Sequence, residues 1–287
     1  MIRIAVAQYA VYRPQNWDDY VSHLTDWIEK AVEQHAELVV FPEYASLILT
    51  ALVNEKKLIE QYQAIQSLLD RFLELHRHLA QKYQLCIISA TFPVQEHGKF
   101  LNRSFVFFPN GEIHFQDKLQ MTRFEQGVIS SGETIRLFQF KNICFGIAIC
   151  YDSEFPLLIR KYVENGADLI VVPSCTETWF GFHRVHLSCR ARALENQCYV
   201  AQSCILGSAD WVETIDQNVG RAGIFSPVDR YFPNDGILAL GNLEQSQWVI
   251  ADMDISLIKK VRRNGEVFNY RDWDKQHPFN KIEKIIL

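Results

Sequence analysis

The chain has 287 residues, 48% of them hydrophobic and 22% charged, which is enough apolar material for one large core or two coupled layers. Its formal net charge of −5 offers no basic footprint, and no apolar run approaches the length of a membrane span. Nucleic acid and membrane are therefore not expected partners. Seven cysteines, an odd number without regular spacing, suit a reducing compartment better than a disulfide framework. With a strand pattern starting at Ile2, no secretory signal is expected, and a cytoplasmic location follows.

In chain order, Ile2–Gln8 reads as a strand, and Trp17, Tyr20, Leu24, Trp27, Ile28 and Ala31 recur at helical spacing. The run Glu37 to Pro42 reads as a short buried strand, with Glu43 directly after it. Leu58, Tyr62, Ile65, Leu69, Phe72, His76 and Leu79 mark one long amphipathic helix, on which His76 is a face residue rather than a ligand. Phe105–Phe108 and Ile113–Phe115 flank Pro109–Asn110–Gly111, so a hairpin with a type I′ turn is expected. Asp117 and Lys118 follow its return strand.

The second half repeats this order. Ile143–Ile149 is a strand pattern closing on Cys150, Phe155, Leu158, Ile159 and Tyr162 form a helical stripe, and Ala167–Pro173 is again a strand ending in proline. The repeat places Ser174 where the first half has Glu43. Two helix-covered sheet halves packed face to face make an α/β fold, a four-layer α-β-β-α sandwich. No linker-like stretch interrupts residues 1–287, so a single domain is expected, with a polar tail from about 274.

Glu43, Lys118 and Cys150 each lie just past a strand, where open α/β folds place their chemistry. A solvated glutamate, a solvated lysine and a packing cysteine are the plain alternatives. As a set they match amide hydrolysis: Glu takes the thiol proton, Cys attacks, and Lys stabilises the developing oxyanion. The amides of the turn after Cys150 and the helix start beyond it would add to that stabilisation. Cys86, Cys144, Cys198 and Cys204 sit in or beside apolar strand runs and read as packing residues. His183, His186 and Cys189 recur every three residues, but successive positions drift round a helix, so no metal is expected there. No phosphate-binding glycine loop appears, and no organic cofactor is expected.

At these residues the chain resembles the nitrilase superfamily of carbon–nitrogen hydrolases. Phe41–Pro42–Glu43, Asp117–Lys118–Leu119 and the stretch from Gly146 to Asp152 look like its glutamate, lysine and cysteine motifs. Gly132, the Arg190 to Asn196 helix and Gly265–Glu266–Val267 are further matches, and the resemblance runs from about Ile2 to about Trp273. It implies the sandwich fold, a Cys150 nucleophile, and a second glutamate that maps to Glu125. It also implies homodimers formed through helices near the Arg190 to Asn196 segment. Gln120 and Glu154 stand where many members carry His and Arg, and Tyr151–Asp152 resembles the amidase and carbamoylase branches rather than nitrile hydrolases.

The expected substrate is a small linear amide, with Tyr151 and Cys175 beside the reacting group. The segment Ser174 to Phe182 reads as an aromatic loop starting at the sheet end of Glu43, so Trp179 or Phe182 is expected to line the acyl pocket. Two other readings stay open. An N-carbamoyl hydrolase would use the same residues, with Arg123 and Arg184 as candidate carboxylate partners. A catalytically silent interaction module would keep only the fold.

Overall fold

In the computed structural model, which describes residues 1–276 and 282–285, strands and helices alternate along almost the whole chain. The first half runs β1 (Ile2–Ala10), α1 (Trp17–Glu33), β2 (Leu38–Val40), α2 (Leu58–Ala64), α3 (Leu69–Tyr83), β3 (Cys86–Ile88), β4 (Phe92–Glu96), β5 (Lys99–Phe107), β6 (Ile113–Asp117) and β7 (Ile129–Ser130). The second runs β8 (Leu137–Phe140), β9 (Ile143–Ile147), α4 (Pro156–Glu164), β10 (Leu169–Ser174), α5 (Trp179–Asn196), β11 (Tyr199–Leu206), β12 (Gly223–Phe225) and β13 (Ile237–Leu240). β14 (Gln247–Met253) and α6 (Ile255–Asn264) follow. The tail expected from about 274 lies in part on residues 277–281 and 286–287, outside the described residues.

The expected repeat is present as β1-α1-β2 and β9-α4-β10, and the two strands of each unit pair in parallel. In the first half the strand order is β4-β5-β3-β2-β1, with β14 antiparallel to β1 and β6 antiparallel to β5. In the second it is β11-β10-β9-β8. β1 connects the halves: its residues Ile2–Gln8 pair with β14, and Gln8–Ala10 then pair in parallel with Cys204–Leu206 of β11.

Alternation along the strands sorts side chains between layers. Ile2, Ile4 and Val6 of β1, with Leu38 and Val40 of β2, face the core shared with β9 and β10. Ala5, Ala7, Tyr9 and Val39 face the other way, into a second core beneath α1 and α3 that includes Leu24, Ile28, Phe72 and Leu79. Ile159, Tyr162 and Val163 of α4, with Val185, Cys189 and Ala193 of α5, cover the second half. Helix, sheet, sheet, helix is the expected order. Full burial of each such large apolar side chain contributes roughly 1.5–3 kcal/mol relative to exposure.

Two local expectations are corrected. The long helix from Leu58 breaks into α2 and α3 at a 3-10 turn over Ile65–Leu68. Side chains compete there for carbonyl oxygens: Ser67 Oγ donates to Ala64 O, and Gln66 Nε2 donates to both Tyr62 O and Pro93 O. The hairpin turn is not type I′. Gly111 N donates to Phe108 O, Pro109 occupies the second turn position, and only Gly111 of the Asn110–Gly111 pair has positive φ (90°). Proline at that position excludes a primed turn, because its ring fixes φ near −65°. Among the described residues no helix is long and apolar enough to cross a membrane.

Candidate active site

Each of the three strand-end residues is held by the chain around it. β2 extends past Val40 as Phe41 N donates to Ile88 O, and Ser203 Oγ donates to Phe41 O across the halves. Glu43 thus projects from a fixed sheet end, and Tyr44 after it adopts φ 57°. Lys118 follows β6 directly; its N–H donates to Asn102 O, and its own O accepts from Gly132 N. A Cβ at Gly132 would lie 2.7 Å from Asp117 Cβ, so this close approach requires glycine. Cys150 opens a 3-10 turn over Cys150–Glu154 with φ 49°, a costly left-handed conformation that turns the thiol out of the strand line. The helix start expected immediately after it is this turn, and α4 begins only at Pro156.

The side chains converge in one buried network. Lys118 Nζ, 1% exposed as a residue, donates to Glu43 Oε1 at 2.8 Å and to Glu125 Oε1 and Oε2 at 2.8 and 2.6 Å. Asn102 Nδ2 donates to both carboxylates, at 2.9 Å to Glu43 Oε1 and 3.2 Å to Glu125 Oε1. Tyr44 OH donates to Glu125 Oε1 at 2.7 Å, and Thr122 donates to Glu125 Oε2 through N and Oγ1. Glu43 Oε2 accepts from Cys175 N at 3.0 Å, and Cys150 Sγ donates to Cys175 O at 3.5 Å. The backbone of one residue just past β10, Cys175, therefore contacts both the carboxylate and the thiol.

Burial and charge separate the ionisable groups. Burial pushes the Glu43 carboxyl up and Glu125 adds to it, with Lys118 opposing. Burial works against Glu125 too, but the Lys118 charge and the hydrogen bonds from Lys118, Tyr44 and Thr122 outweigh it and hold this carboxyl below its ordinary range. Burial alone would lower Lys118, yet the two carboxylates overcome it and fix an ammonium. Burial, followed by the Glu43 charge, pushes the Cys150 thiol well up. Glu125 thus holds its negative charge, whereas Glu43 is the proton-labile carboxylate beside a protonated thiol. Two carboxylates on one lysine with opposed tendencies are how acid–base roles are divided.

The network opens into a cavity of about 640 Å³ lined by Glu43, Lys118, Glu125 and Cys150. Tyr151 and Cys175 also line it, as do Arg123 and Arg184. Trp179 and Phe182 do not. The expected aromatic loop is instead the first turn of α5, capped by Thr178 Oγ1 accepting from Gly181 N. At helical spacing, Thr178, Gly181 and Val185 share the face toward the cavity. Phe182 falls on the adjacent stripe, its ring tilted against those of His183 and His186, and Trp179 packs edge-on against it. His186 is buried with Nδ1 3.3 Å from Gln202 Oε1, and His76 Nδ1 lies 2.8 Å from Phe72 O. Cys86, Cys198 and Cys204 are buried packing thiols, whereas Cys144 is half-buried.

Asn102, Tyr44 and Thr122 were not singled out from the sequence. Asn102 gives no local signal, because it stands in the polar stretch Asn102–Arg103–Ser104 of β5, yet it is fully buried. Tyr44 and Thr122 gave none, because their partner is distant in sequence or identified only through Glu125.

A buried cysteine in a strained strand-end turn, beside a lysine clamped by two carboxylates, defines a Glu–Lys–Cys site on an α-β-β-α sandwich. The family model of carbon–nitrogen hydrolases matches residues 3–263, and the chain belongs to that family. It is 33% identical over 273 residues to the probable hydrolase YhcX of Bacillus subtilis, covering 94% of this chain and 53% of that protein. The chain thus spans about half the length of that relative. It is 31% identical over 214 residues to the deaminated glutathione amidase of Synechocystis sp., covering 69% of this chain and 75% of that one. The fold matches a mutant of the amidase from Nesterenkonia sp. AN1, a nitrilase-superfamily protein, with a TM-score of 0.70 at 20% identity and coverage of 91% and 97%. That structure carries acrylamide added at its active-site cysteine.

Proposed function

We propose that the protein hydrolyses the C–N bond of a small linear amide through a thioester on Cys150. The carrying observation is Lys118 shared between Glu43 and Glu125 at the base of a cavity that also exposes Cys150. Glu43 removes the thiol proton as Sγ attacks the carbonyl carbon, and Lys118 with the backbone N–H of Tyr151 receives the developing oxyanion. Glu125, kept ionised, holds Lys118 in place. The tetrahedral adduct expels ammonia with the proton from Glu43, leaving the thioester. Water, deprotonated by Glu43, then releases the carboxylic acid and restores the thiol. The cysteine adduct in the Nesterenkonia amidase and the amidase activity named for the Synechocystis relative support this reading.

Arg123 and Arg184 in the cavity lining favour a second reading, an N-carbamoyl substrate carrying a carboxylate. A panel of primary amides, ω-amides and N-carbamoyl compounds separates the two. Ammonia without carbon dioxide is the expected result. Carbon dioxide with ammonia would support the carbamoyl reading, and neither would leave only a silent module.

A homodimer and a cytoplasmic location complete the proposal. Leu187 and Leu194, seven residues apart on α5, are 59% and 44% exposed and leave apolar side chains uncovered on that helix. All seven cysteines are free, as a reducing compartment allows. Sedimentation is expected to give a dimer at micromolar concentration that Leu187→Glu dissociates; a monomeric wild type would contradict it.

A further inference from the structure

Lys118 and Cys150 come from different strands in different halves of the fold, yet the chemistry needs them in fixed relation. One side chain spans the gap. Asp152, fully buried in the turn that begins at Cys150, accepts from Gln120 N at 2.7 Å and Leu119 N at 3.1 Å through Oδ1. Its Oδ2 accepts from Ile149 N at 3.0 Å. The first two amides follow Lys118 directly, and the third precedes Cys150. With Lys118 N on Asn102 O and Lys118 O on Gly132 N, the backbone of the lysine loop is anchored on every side.

We propose that the Asp152 carboxylate is a positioning residue that locks the Lys118 loop to the Cys150 turn and so sets the spacing of oxyanion donor and nucleophile. The proposal rests on the Glu–Lys–Cys reading above and adds the element that holds its parts in register. Three amides on two carboxylate oxygens use the acceptor capacity that only the ionised form offers in full. A neutral carboxyl would bring an O–H into a space already occupied by donors.

Burial pushes the Asp152 carboxyl up to about 7, against the three amides and the Lys118 charge, which pull it down. Tyr162 of α4 is a further ionisable group that interacts with it, and Cys150 and Glu154 share its turn. A carboxyl raised on folding favours the fold while protonated and costs stability once it ionises, so this group loses stability as pH rises from the ordinary carboxylate range through 7. Its ionised form therefore holds geometry at a stability cost, which distinguishes positioning from simple packing.

The test is Asp152→Asn, which keeps the shape but turns one acceptor into a donor facing an amide. The expected result at pH 8 is a fall of about a hundredfold in kcat with KM little changed, the scale associated with a displacement of about 1 Å at a reacting group. Iodoacetamide labelling of Cys150 should change, and hydrogen exchange at Leu119, Gln120 and Ile149 should rise at least tenfold, with the melting temperature retained. Exchange and labelling need no substrate, so they report on the clamp even if the amidase reading fails. Unchanged exchange at those three amides would overturn the proposal. If the variant does not fold, wild-type exchange at the same amides decides: protection falling relative to the remaining strands between pH 8 and pH 6 supports the clamp, and constant relative protection overturns it.

Discussion

Cys150→Ala is expected to lower turnover by about five orders of magnitude or more, the scale seen when a covalent nucleophile is removed from an otherwise intact site. The fold should persist. The thiol donates to Cys175 O and lies against Glu43, which keeps Lys118, Asn102 and Cys175 N as partners when the thiol is lost. Steady-state kinetics with the best amide of the panel measures the first half, and circular dichroism with thermal melting measures the second. Iodoacetamide should mark Cys150 in the wild type in preference to Cys86, Cys198 or Cys204, which are buried and take no part in the cavity lining. A fast-reacting thiol mapped elsewhere would overturn the assignment.

Lys118→Met is expected to damage both activity and stability. Removing an oxyanion donor costs about a hundred- to a thousandfold in kcat. Removing the cation also leaves Glu43 and Glu125 buried without their shared counter-charge, and breaking a buried ion pair in this way costs about 3–5 kcal/mol. The pH dependence follows from the directions of the shifts. In the wild type Glu125 lies below its ordinary range because of Lys118, so it contributes stability present above the ordinary carboxylate value and lost as pH falls through the folded one. Without Lys118, both carboxyls lose the main charge that opposes their burial and shift upward. The fold is then favoured while they are protonated and loses stability as pH rises. Urea unfolding should show a smaller gap between variant and wild type at pH 5 than at pH 8; an equal gap would contradict the role given to Lys118.

Much of this arrangement was legible in the sequence because the decisive residues terminate strongly patterned strands. Glu43, Lys118 and Cys150 each follow an apolar run, and a run that ends in a polar group at a sheet end states where that group must sit. The repeated strand–helix–strand order likewise exposed the two halves. Glu125 is reached only through the family resemblance: Lys118 and Thr122 share its loop, but Tyr44 and Asn102 come from distant parts of the chain. Asn102 depends on the register of β5 against β6, which no local pattern reports. Trp179 and Phe182 lie off the cavity because the capping hydroxyl of Thr178 starts α5 there, and helical spacing puts Thr178, Gly181 and Val185 on the cavity face in place of the aromatic rings. The break between α2 and α3 was hidden for a related reason. The apolar spacing continues across it while Gln66 and Ser67 redirect the carbonyls.

The covalent intermediate on Cys150 is tested most directly by acid-quenching the wild type during turnover of a slow amide and measuring intact mass, followed by peptide mapping. The account predicts a species heavier by the acyl group of the substrate less one hydrogen, carried on the peptide that contains Cys150 and absent from Cys150→Ala. Ammonia released with no acyl species on the wild type, or an acyl group mapped to another residue, would contradict it.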